Sequence, residues 1–162
     1  MKAKVRIILA AMLCVACLAA LVGCSGNNAE QDAQTQNRQY MSSVNTIMDT
    51  LNTNMEEFAT AVKDGEVVSL DGQLEAVNKC VEDLNALTPP DAMTEIHKSY
   101  VSGATELQTA LADYVQLYED VKAPQSGSFD YSTYDARIAD IQSHYDAGIA
   151  ALQEADSKAQ SA

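Results

Sequence analysis

From Met41 to Val62 an apolar side chain recurs every third or fourth residue: Met41, Val44, Met48, Leu51, Met55, Phe58 and Val62. A helix turns once in ~3.6 residues, so all of these fall on one stripe. The opposite face carries Asn45, Asp49, Asn52, Glu56 and Lys63. Such a helix has a seam of coiled-coil register and has to bury it against other helices. The rest of the chain must therefore supply matching faces.

It does so three more times. Leu70, Leu74, Val77, Val81, Leu84 and Leu87 form a second stripe, on a helix expected to start near Ser69 or Asp71 and to stop at Thr88-Pro89-Pro90-Asp91. A residue before proline is pushed out of helical geometry, so the proline pair is a firm break. A third helix is predicted over roughly Pro89–Lys122, with Thr88 as its cap and Asp91 three residues on as a weak capping box. Its stripe is Met93, Ile96, Tyr100, Ala104, Leu107, Leu111, Tyr114, Tyr118 and Val121, and Gly103 reads as a weak spot. After "APQSGSFD" a fourth helix is predicted from about Tyr131 to Lys158, with Tyr134, Ile138, Ile141, Tyr145, Ile149 and Leu152 inward. Four amphipathic helices on short connections give an all-α, antiparallel three- to four-helix bundle.

The N-terminal residues belong to another kind of segment. Lys2, Lys4 and Arg6 precede an uncharged apolar run, Ile7–Gly23, which is the order of a secretory signal. Residues 24–37 hold no large apolar side chain and are expected to form a flexible tether. The boundaries read from the sequence are thus 1–23 for the signal, 24–37 for the tether and 38–162 for the bundle.

Charge narrows the function classes. Residues 1–23 contain three of the ten basic residues and no acid, so the remainder has seven basic and 23 acidic residues, a formal charge of −16. That charge keeps a chain soluble and repels nucleic acid. No nucleic-acid partner is expected.

Candidate sites are few. Cys14 and Cys17 have CxxC spacing but lie in the signal; beyond Cys24 a single thiol remains, Cys80, beside an apolar stripe. Met41, Met48 and Met55 stand seven residues apart, ~10.5 Å along a helix, too far to share one metal ion. His97 and His144 are the candidate metal ligands; antiparallel third and fourth helices can bring them within reach or leave them a turn or two apart, and neither sits in a metal-binding motif. Tyr100, Tyr114, Tyr118, Tyr134 and Tyr145 lie on the inner stripes of the last two helices and read as a polar-edged core, the alternative being a ligand or peptide cleft near "FDYSTY". No catalytic signature and no cofactor motif is present, so no enzymatic activity and no cofactor is expected.

Leu21-Val22-Gly23-Cys24 resembles the lipobox of bacterial lipoproteins. The resemblance implies cleavage before Cys24 and attachment of a lipid, with palmitate-type acyl chains, to that cysteine. It places the chain at the extracytoplasmic face of the cell membrane, or at the outer membrane in a host that has one. The stretch "LNALTPPDAMTEIHKSY" is similar to small, mostly uncharacterised lipoproteins in which a leucine-rich helix runs into a proline pair followed by a histidine. Leu84, Leu87, Pro89, Pro90 and His97 carry that likeness. It implies an envelope helical bundle and no established activity. The expected function is a membrane-anchored, non-enzymatic binding or adaptor module for an envelope protein or peptide. The alternative is an extracytoplasmic ligand or metal carrier built on His97, His144 and the tyrosines.

Overall fold

The computed structural model describes residues 28–64, 70–122 and 129–161. Helix α1 spans Asn28–Asp64, α2 Asp71–Ala86, α3 Thr94–Lys122 and α4 Tyr134–Ser161. A single 3₁₀ turn precedes each of the last two, at Asp91–Met93 and Tyr131–Thr133. The described residues contain no strand. The signal and Cys24 lie outside the described residues.

The helices run up, down, up and down. Tyr40 meets His97 and Phe58 meets Tyr114, so α1 and α3 point the same way. Tyr100 bonds Asp156 and Asp120 bonds Arg137, so α4 returns along α3. Helix α2 packs on both α1 and α3, and Gln108 donates to Asn78 across the latter boundary at 2.7 Å. Val44, Leu51, Val77, Leu84, Leu107 and Leu111 form the dry centre of one continuous core. The all-α bundle expected from the stripes is therefore the fold.

Two expectations about helix starts are corrected. Helix α1 begins at Asn28, ten residues ahead of the predicted boundary at 38, so most of the supposed flexible tether is helical. Ala29, Glu30, Gln31, Ala33 and Gln34 are good helix formers, and extending an existing helix avoids the costly nucleation step. Residues 30–36 of this stretch are all exposed. Tyr40 sits beside His97 and α3 starts at Thr94, so α1 overhangs the bundle by about nine residues, ~14 Å.

Helix α3 begins later than expected. Thr88 does not cap it; Pro90 stands before the 3₁₀ turn with φ −58° and ψ 155°, and no side chain caps that turn. Thr88 and Pro89 each precede a proline, and both are barred from helical geometry for that reason.

The closest helix approach is between α3 and α4, and glycine makes it. A Cβ on Gly103 would lie 2.7 Å from Leu152 Cγ and 3.0 Å from the Gly148 carbonyl oxygen. A Cβ on Gly148 would lie 2.9 Å from Leu107 and 3.0 Å from the Gly103 carbonyl oxygen. The two glycines face each other, and each lets a leucine of the opposite helix close over it. Gly103 is thus a packing position rather than the weak spot read from helix propensity.

Candidate functional site

The side chains singled out in the sequence fall at opposite ends of the bundle. At the root, where the overhang of α1 leaves the core, Tyr40 is the first buried residue of α1, 6% exposed. Its hydroxyl lies 2.9 Å from His97 Nδ1, and its ring meets the imidazole edge-on at 6.1 Å. One turn of α3 further on, the Tyr100 hydroxyl donates to Asp156 Oδ1 at 2.6 Å. Burial pushes the Tyr40 phenol up to about 12, so it keeps its proton. Burial, with the Asp156 carboxylate beside it, raises Tyr100 further. Burial lowers His97 below the ordinary imidazole value.

His144 has a different environment. Its Nδ1 lies 2.6 Å from Glu106 Oε2, on a partly exposed stretch of the α3–α4 boundary. The bond to Glu106 raises its pKa, and Asp113 and Asp140 add to that field. Glu106 lies nine residues beyond His97 on α3, ~14 Å along the helix. The two histidines therefore do not converge: of the two arrangements that antiparallel helices left open, the structure has them apart. His97 faces α1 near the root, while His144 faces Glu106 near the middle of the bundle. Among the described residues no three His, Cys, Asp or Glu side chains form a metal-holding group.

The tyrosines divide in the same way. Tyr100 is at the root and Tyr145 in the middle. Tyr114, Tyr118 and Tyr134 gather at the far end, the tip. There Phe58 packs edge-on against Tyr114 at 5.2 Å, and Phe129 against Tyr131 at 5.0 Å and Tyr134 at 6.4 Å. Lys122 Nζ stands 5.6 Å above the Tyr118 ring. Asp130 holds the turn by accepting from the Ser132 backbone N–H and hydroxyl. Tyr131, 66% exposed, is the one exposed large hydrophobic among the described residues. All five pack in or against the core, as a polar-edged core requires, and they are spread from root to tip.

The remaining candidates are packing residues. Met55 is buried, while Met41 and Met48 lie against the edge of the core. Cys80 is a free, buried thiol, and burial raises its pKa so that it stays protonated. Three residues at these centres were missed in the sequence: Tyr40, Glu106 and Asp156. Tyr40 had a signal, since it lies four residues before Val44 and continues the first stripe backwards. Glu106 and Asp156 had none, because each depends on which residue faces it from another helix.

Residues 33–147, from near the start of α1 to the middle of α4, match DUF6376, a family of unknown function. The chain belongs to that family. An uncharacterized lipoprotein of Bacillus subtilis (strain 168), YybP, is 40% identical over 50 residues, 31% of this chain and 34% of that protein. The match thus spans about a third of the relative's length. No solved structure matches. The resemblance to small lipoproteins of unknown role, drawn from the sequence, is borne out by these findings.

Proposed function

We propose that the chain is a lipid-anchored extracytoplasmic adaptor, a non-enzymatic bundle that presents its tip to a partner in the cell envelope. The observation that carries this reading is the position of the tip. Helix α1 is continuous from Asn28 to Asp64, ~54 Å, and the exposed Tyr131 lies at the end remote from Asn28. Cys24 precedes Asn28 by four residues. An anchor there puts the root near the lipid and the tip far from it. Aromatic residues with a polar end are favoured where a surface has to bind and yet stay wet.

Two substitutions test the two halves of the proposal. Cys24→Ala moves the protein out of the membrane fraction if the anchor is right. A photo-crosslinking residue at position 131, compared in intact cells with one at the exposed Gln153, tests the tip. Cross-links to one discrete envelope component from 131 and none from 153 support the adaptor. Equal products from both positions, or products from 153 alone, exclude the tip as the contact surface.

A further inference from the structure

We propose that the tip recognises a cation: the Tyr131 ring, flanked by the carboxylates of Asp130 and Asp135, receives a lysine or arginine side chain of an envelope protein. The proposal rests on the reading of the tip as the contact surface and names what that surface takes. Tyr131 meets Phe129 at an interplanar angle of 85° and is 66% exposed, so the ring is braced and not covered. Phe129 in turn packs on Tyr134, which lies against the core, so the brace is itself held. An open aromatic face attracts an ammonium or guanidinium group, and a carboxylate beside it adds to that attraction.

The charges flanking the ring are of one sign. Asp130 precedes it, and the Ser132 hydroxyl and backbone N–H hold that carboxyl below the usual carboxylate range, so it is ionised at neutral pH. Asp135 follows Tyr131 by four residues, the spacing that puts two side chains on one helix face, and it is exposed. Among the described residues the cations of this end are engaged or turned away. Arg137 bonds Asp120 at 2.7 Å, Lys122 stands over the Tyr118 ring, and Lys63 is on the outer face of α1. Lys122 over Tyr118 is the same kind of contact, made within the chain. Residues 24–162 carry a formal charge of −16, which draws a basic surface towards this one and repels an acidic one. Under the anchored reading α1, ~54 Å long, separates the tip from the lipid. Headgroups of the anchoring membrane are then out of reach, and the cation comes from a protein.

Photo-cross-linking from the exposed position 136, one residue beyond Asp135, reads the contact in intact cells on the full chain. The yield of the protein product is compared across four backgrounds. Tyr131→Phe keeps the aromatic face and should keep the yield. Tyr131→Leu keeps an apolar side chain without that face, and Asp135→Asn removes one carboxylate; each should cut the yield several-fold. Asp49→Asn makes the same change in net charge on the outer face of α1 and should leave the yield unchanged. A wild-type yield that survives both Tyr131→Leu and Asp135→Asn overturns the cation site while leaving the tip as the contact surface. A loss with Asp49→Asn as large as that with Asp135→Asn also overturns it, by assigning the effect to overall charge, and so does a product that is lipid rather than protein. No product from either position 131 or position 136 removes the tip reading itself, and this proposal with it.

Discussion

Helices α3 and α4 meet backbone to backbone, whereas α1 meets its neighbours through long side chains. In the first seam Gly103 and Gly148 face each other, with Ala104 and Ala155 fully buried alongside. Tyr100–Asp156, Glu106–His144 and Asp120–Arg137 tie the same pair of helices from root to tip. In the second seam the residues are Tyr40, Met41, Met48, Leu51, Met55 and Phe58. Close packing of small residues leaves no room for growth. Methionine-rich packing adapts its shape but fails when volume is removed. One bundle therefore combines a rigid hairpin with a more adaptable helix laid against it.

The largest effect should come from emptying the adaptable seam. Leu51, 1% exposed, is at its centre, and Leu51→Ala should cost about 2–5 kcal/mol in urea unfolding. Met48→Leu, which conserves volume at the edge of the same seam, should cost less than about 1.5 kcal/mol. A Met48→Leu loss as large as that of Leu51→Ala would remove the distinction between the seams. Next in size is crowding of the rigid seam. Gly103→Ala and Gly148→Ala should each cost about 1–3 kcal/mol, although alanine is the better helix former. Gly72, in the first turn of α2, has nothing within 4 Å of a built Cβ. There the same substitution should stabilise by about 0.5–1 kcal/mol. If Gly148→Ala stabilised the protein as Gly72→Ala does, the glycine seam would not be a contact of close approach.

The adaptable seam was largely legible in the sequence and the rigid one was not. Val44, Leu51 and Met55 are written in the three–four repeat. Gly103 was marked down because propensity counts the missing side chain as a defect. Its position gave a better clue: it follows Tyr100 by three residues and precedes Leu107 by four, and Gly148 stands in the same relation to Tyr145 and Leu152. A glycine on the stripe signals close approach only once its partner helix is known. The same limit hid the histidines. Both lie beside apolar stripes, but whether each faces a phenol or a carboxylate depends on the register between helices.

Tyr100→Phe probes the rigid seam at the root. It keeps the ring in the core and removes the hydroxyl bonded to Asp156. A hydrogen bond to a charged group contributes more than a neutral one, so the loss should be about 1.5 kcal/mol. Asp156→Asn should recover part of it in the Tyr100→Phe background, because it removes the carboxylate left without its donor. A double-mutant cycle measures that coupling, and purely additive losses would show the bond to be incidental.

The smallest effect concerns His144, and its sign is opposite to that at His97. Glu106 raises the His144 pKa, so the protonated imidazole favours the folded state. That contribution is fully present below the unfolded value near 6.5 and is lost as pH rises through the higher folded value. Both partners are more than a third exposed, which holds the gain below ~1 kcal/mol. His144→Gln should therefore cost slightly more below pH ~6 than above pH ~8. His97→Gln should do the reverse and become relatively more stable as the pH falls. Global unfolding of both variants as a function of pH resolves the two terms. Parallel pH profiles for the two would refute the opposite shifts assigned to the histidines.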